Sequence, residues 1–167
     1  MTPPGSWFEK YRPSEMPLPS SRTDKLDGAP QHLQNFQSIH PKDQGQWVAP
    51  CGFGSDELLR EAIAATYGMI EMIDNGIGKI LGSLKDTQQL DNTIIVFTSD
   101  HGDMMGDHGL FLKGFMHYRG TLQVPLMVLA PGIEAQENHE LASSIDIGPT
   151  LLELCELPFY EGIQGET

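Results

Sequence analysis

The stretch TIIVFTSDHGDMMGDHGLFLKG, residues 93–114, decides the reading of this chain. It opens on an apolar run, TIIVF, of the kind that forms a short strand buried on both faces. Three aspartates follow (Asp100, Asp103 and Asp107) with two histidines, His101 and His108, and then Lys113. In open α/β sheets, ligands gather beyond the carboxyl ends of the strands, which is where Asp100 and His101 sit. Adjacent strand residues point to opposite faces, but Gly102 marks a turn that lets both side chains converge on one ion. A carboxylate with an imidazole suits divalent metals from Ca²⁺ through Mn²⁺ to Zn²⁺, the imidazole favouring the transition metals. Two ligands do not complete a shell, so the other donors must come from elsewhere.

Reading outward, VPLMVLAPG (residues 124–132) is a second strand closed by Pro131 and Gly132. SIDIGPTLLELCELP (residues 144–158) then reads as a helix, with Asp146 or Ser144 as its cap and Pro149 in its first turn. Upstream, residues 55–86 open with Ser55 as N-cap and with Asp56 and Glu57 in the first turn. Leu59, Ile63, Ile70, Ile73, Ile77, Ile80 and Leu84 recur at helical spacing and define one apolar face. Gly76, Gly78 and Gly82 weaken this helix locally and leave room for another backbone. Met69 and Met72 read as ordinary packing. Helix, strand, loop, strand, helix implies an α/β fold with a parallel or mixed sheet.

Residues 1–50 hold eight of the twelve prolines. They read as an extended, turn-rich arm draped over a surface supplied by something else. The division expected is therefore an arm over 1–54 and a folded part over 55–167. Charge divides in much the same place. Residues 1–60 carry six Lys/Arg against seven Asp/Glu, and residues 61–167 carry four against sixteen. So acidic a chain disfavours nucleic acid and anionic membranes, and an anionic substrate needs a metal ion or Lys113 to reverse the local sign. No apolar run is long enough to span a bilayer, and MTPPGSWFEKYRP is not a signal peptide. Cys51 and Cys155 set no disulfide framework, and a cytoplasmic location is expected.

A D-H-G triplet alone is a weak signal. The longer run S-D-H-G-D-x-x-G-D-H-G, with Lys113 thirteen residues past Asp100 and a proline-led strand after it, is specific. It resembles the sulfatase family of the alkaline phosphatase superfamily, in particular choline-sulfatase-like, arylsulfatase-like and phosphonate monoester hydrolase-like members. The helix YGMIEMIDNGIGKILGSL, the segment SSIDIGPTLLELCELP, the motif GIQG (residues 162–165) and the proline-rich PPGSWFEKYRPSEMPLP extend the likeness along most of the chain.

The resemblance implies an alkaline-phosphatase-like layered sheet with flanking helices, present as part of a domain. It implies that Asp100 and His101 hold a divalent metal, Ca²⁺ first with Mn²⁺ or Zn²⁺ as alternatives. It also implies that Lys113 contacts the sulfate or phosphonate group. Asp103, Asp107 and His108 extend the site to a second ion or cap loop amides, and the resemblance implies the structural role. Arg119 stands where the family usually has Glu, which sets aside that loop's usual ion pair but not the metal pair.

A sulfatase also needs a formylglycine, made from Cys or Ser in C/S-x-P/A-x-R. No such motif occurs: Cys51 precedes GFGS and Cys155 precedes ELPF. The family's early acidic metal ligands are missing too. The expectation is a metal-dependent sulfate ester hydrolase in fragment form, inactive alone. It would self-associate, or join a part that carries the formylglycine. Phosphonate or phosphate ester hydrolysis and a non-catalytic binding or oligomerisation domain are the alternatives.

Overall fold

The computed structural model describes residues 2–39, 51–52 and 54–167, with Cys51 described by its backbone only. The remainder of the proline-rich arm, residues 40–50, lies outside the described residues. The chain forms two compact units. One comprises 1–87 with 101–124, and the other 88–100 with 125–167.

The first unit is built on a 31-residue helix. Short helices α1 (Ser6–Glu9) and α2 (Gln31–Ser38) and strand β1 (Cys51–Gly52) precede this helix, α3 (Asp56–Asp86). Ser55 caps it as expected, its side chain accepting the Leu58 amide at 3.3 Å. Its apolar face behaves differently along its length. Leu59 and Ile63 are buried, whereas Ile70, Ile73 and Ile80 are more than half exposed. The close backbone approach is not at Gly76, Gly78 or Gly82, where an added Cβ would meet nothing. It is at Gly68, where a Cβ would lie 2.4 Å from the Trp7 carbonyl oxygen. Periodicity could not distinguish these positions, because the partner is the N-terminal arm.

That arm packs on the chain's own residues. Met16 joins Leu59, Ile63 and Ala64 in one apolar cluster. Leu26 and Leu33 join Met104, Leu110 and Met116 in another. Ion pairs pin it further: Lys10 to Glu71, and Arg22 to Asp56 at 2.9 Å, in the first turn of α3. The Arg60 guanidinium donates to the Met16 carbonyl. The surface the arm covers is therefore supplied largely from within. Strand β3 (Leu110–Phe111) pairs antiparallel with β1, and a single helical turn, α4 (Arg119–Leu122), ends this unit's sequence.

The second unit holds β2 (Ile95–Thr98), β4 (Leu126–Leu129) and helix α5 (Ile147–Leu154). The two strands pair antiparallel, Ile95 opposite Leu129 and Thr98 opposite Leu126. This rules out the wholly parallel sheet of the two expected and is compatible with the mixed one. A parallel pair needs a long crossover, usually a helix, and residues 99–125 contain no helix longer than α4. An apolar run fixes that a strand forms, not which way its neighbour runs. All four residues of β4 are exposed, and so is Phe97 of β2. Burial on both faces is thus not met within this chain.

The late helix has Asp146 as its N-cap residue, one of the two expected, without a side-chain cap bond of its own; the cap bonds belong to the 3-10 turn Ser144–Asp146 just before it. Ser143 forms a capping box with Asp146, which accepts the Ser143 amide at 2.7 Å. Asp146 also accepts the Glu166 amide at 2.9 Å, and a Cβ at Gly165 would lie 2.6 Å from the Ile145 carbonyl oxygen. The GIQG motif is thereby bolted to the start of the helix. These two amides hold the Asp146 carboxyl below the usual carboxylate range.

Candidate active-site loop

Residues 101–118 form a loop that is folded on itself. Gly102 donates its amide to the Thr121 carbonyl at 2.9 Å. A Cβ at Gly102 would stand 1.9 Å from the Gly120 carbonyl oxygen, so only glycine fits. Met104 donates to Leu112 (3.0 Å), Gly106 to Leu110 (2.8 Å) and Asp107 to Met104 (2.7 Å). Gly106 and Gly109 take positive φ, 96° and 69°, which glycine adopts without steric cost. Met104 and Leu110 are buried beneath the loop.

The acidic and imidazole groups of this knot serve the loop. Asp103 accepts the Met105 amide at 2.9 Å, a local side-chain cap as expected. Asp107 accepts the Ser21 hydroxyl at 2.7 Å. His108 donates from Nδ1 to Asp24 at 2.8 Å and stacks on Tyr118 with centroids 4.4 Å apart. That hydrogen bond, with one from the Leu26 amide, holds the Asp24 carboxyl below its usual value. Ser21 and Asp24 lie in the arm, and nothing in the sequence singled them out. Among the described residues, no group of three or more His, Cys, Asp or Glu is arranged to hold a metal.

His101 and Lys113 come together. A carbonyl only accepts, so His101 Nδ1 carries a proton and donates it to the Gly102 oxygen at 2.8 Å. Nε2 is then the acceptor, and the Lys113 ammonium donates to it. Both imidazole nitrogens are thus engaged, Nδ1 by the Gly102 carbonyl and Nε2 by the Lys113 ammonium. Lys113 is exposed. Asp100 precedes His101 directly, is exposed, and has the Ser99 hydroxyl 3.4 Å from Oδ1. A cleft of about 450 Å³, lined by Arg22, Asp24, Lys25, Gln37, Gly52 and Gly109, includes none of Asp100, His101 and Lys113.

A sulfatase family model matches residues 9–157. The chain belongs to the sulfatase family. It is 34% identical over 135 residues to arylsulfatase K of Danio rerio, covering 79% of this chain and 26% of that protein. It is 33% identical over 172 residues to an arylsulfatase of Clostridium perfringens, covering 99% of this chain and 33% of that protein. Among solved structures, the phosphonate monoester hydrolase of Silicibacter pomeroyi superposes with a TM-score of 0.82 at 27% identity. That match covers 98% of this chain and 33% of the other. The chain thus spans about a quarter to a third of the relatives it matches, as a partial α/β domain of the alkaline-phosphatase-like fold. The family generally depends on a divalent metal.

Proposed function

We propose that this chain carries one half of a sulfatase active centre, the half that holds a metal and neutralises the transferred group. The observation that carries this reading is the Lys113 ammonium seated on the Nε2 of a tautomer-fixed His101. Asp100 and His101 would hold the metal, Ca²⁺ first and Mn²⁺ or Zn²⁺ as alternatives. When bound, such an ion stabilises negative charge on the oxygens of a sulfuryl or phosphoryl group. The Gly102 carbonyl keeps the proton on His101 Nδ1, so that Nε2 carries the lone pair a metal would take in place of the Lys113 ammonium. Lys113 stands one hydrogen bond from that nitrogen and would neutralise a non-bridging oxygen of the ester.

The nucleophile, a formylglycine, would come from an N-terminal part of the catalytic domain. Support for such a partner is the uncovered β2–β4 sheet, together with relatives about three times as long. A sulfate ester is the proposed substrate, in line with the arylsulfatase relatives. The high superposition on a phosphonate monoester hydrolase favours phosphonate or phosphate esters as a second reading.

The test is complementation with a separately expressed, formylglycine-bearing N-terminal part of a relative, in metal-supplemented buffer. Aryl sulfate turnover should appear on mixing, and Lys113→Ala should lower it by about 10²–10³-fold. Turnover unaffected by Lys113→Ala would overturn the assignment. Comparing aryl sulfate with a phosphonate monoester separates the two substrate readings.

A further inference from the structure

Lys113 stands on a short arch whose two feet are pinned. At the first, Leu112 adopts a φ of 68° and its carbonyl accepts the Met104 amide at 3.0 Å. At the second, the Met116 side chain is 2% exposed in the loop's apolar cluster. Residues 113–115 between them are exposed, so nothing along the arch itself packs the lysine into place. Its reach to His101 depends on how the feet are held relative to the turn at Gly102.

Thr121 bears on both. It is 6% exposed, and its hydroxyl donates to the Met116 carbonyl at 2.6 Å, sharing its proton with the Tyr118 carbonyl at 2.9 Å. Its own carbonyl accepts the amide of Gly102, the residue after His101. The Gly102–Gly120 contact, too tight for any Cβ, fixes the same junction from the backbone side. One residue thus ties the second foot of the lysine arch to the turn that orients the imidazole. A buried hydroxyl with a defined acceptor is directional in a way that apolar packing is not.

We infer that Thr121 is a positioning residue: its hydroxyl sets the register between Lys113 and His101. This deepens the proposed site and rests on the reading of those two residues as its members. Valine, of the same shape without the hydroxyl, would leave the fold while letting the arch drift. Serine would preserve the bond.

The test is nitrogen-15 NMR of the His101 imidazole in the full chain at mildly alkaline pH, for wild type, Thr121→Val, Thr121→Ser and Lys113→Met. Loss of a donor to Nε2 moves that resonance downfield. Lys113→Met should show the full shift, Thr121→Val a substantial part of it, and Thr121→Ser almost none, with far-ultraviolet circular dichroism unchanged. A folded Thr121→Val with the wild-type Nε2 resonance would overturn the inference, and so would a Thr121→Ser as shifted as Thr121→Val. If Lys113→Met itself produces no shift, the lysine–histidine contact is absent and the underlying site reading fails instead. Should Thr121→Val not fold, Thr121→Cys, a weak donor of similar size, takes its place. An intermediate shift is then expected, and none would overturn the inference.

Discussion

The two units of this chain differ in how far they satisfy themselves. In the first, the arm, helix α3 and the loop over 101–118 bury Leu59, Met104, Leu110 and Met116 almost completely. The polar groups of the GDHG turn all find partners inside it. In the second, only Ala130 and Pro149 are buried among the described residues, and every side chain of β4 is exposed. A two-stranded sheet is marginal by itself, and open edges and bare apolar faces on it invite pairing. The difference teaches that the loop is organised by contacts within its own unit, whereas the two-stranded sheet leaves its apolar side chains exposed.

The largest effect expected is on assembly. Purified alone, the chain should sediment as a species larger than its 18.4 kDa monomer. Replacing Met127 and Leu129, which share one face of β4, by lysine should return it towards monomer. Sedimentation of the wild type as a compact monomer would break the comparison.

Next comes the contrast between cores. Leu59→Ala, at a fully buried position against Gly106, should cost about 2–5 kcal/mol in urea unfolding. Leu129→Ala, at a position 55% exposed, should change stability by less than about 0.5 kcal/mol when the chain is diluted until it is monomeric. Similar costs at both positions would show that the sheet is covered in solution.

Smaller still is the clamp on the arm. His108→Ala removes the stack on Tyr118 and the bond to Asp24. It should destabilise by about 1 kcal/mol and accelerate tryptic cleavage at Arg22 and Lys25, read by mass spectrometry. Unchanged cleavage there would mean that the arm is held by its apolar contacts alone.

The smallest effect is a pH dependence. Asp24, Glu71 and Asp146 all have carboxyls held below their ordinary values, by His108, Lys10 and the Glu166 amide respectively. A depressed carboxyl stabilises the fold fully above its unfolded value of about 4, and the contribution is lost as pH falls through the folded value. Thermal melts should therefore drop below about pH 4, and Asp146→Asn should flatten part of that drop. A melt that rises as pH falls through this range would contradict the sign.

Much of this was legible in the sequence because it rests on local chemistry. The cap at Ser55, the extent of α3, the two strands and the turn role of Gly102 each follow from a few adjacent residues. The Asp103 cap followed from the family resemblance, the residues alone leaving a second ion open. Motif spacing and the family likeness singled out His101 and Lys113 separately, but their contact was not foreseen, since the eleven intervening residues carry no periodic signal. What escaped depends on distant partners. The periodic stripe on α3 did not reveal that burial stops near Gly68, because the arm that covers it comes from residues 3–18. Ser21, Asp24 and Thr121 look like ordinary turn residues until the fold brings them to the loop. The antiparallel direction of β4 is a property of the connection, which no apolar pattern encodes.

The central claim is that the chain holds half of an active centre, and aryl sulfate turnover by the metal-supplemented chain alone tests it most directly. Without a nucleophile, covalent catalysis has no first step. Wild type and Lys113→Ala should both be indistinguishable from buffer. Turnover by the wild type well above the Lys113→Ala control would contradict the account, since the chain would then contain a complete site.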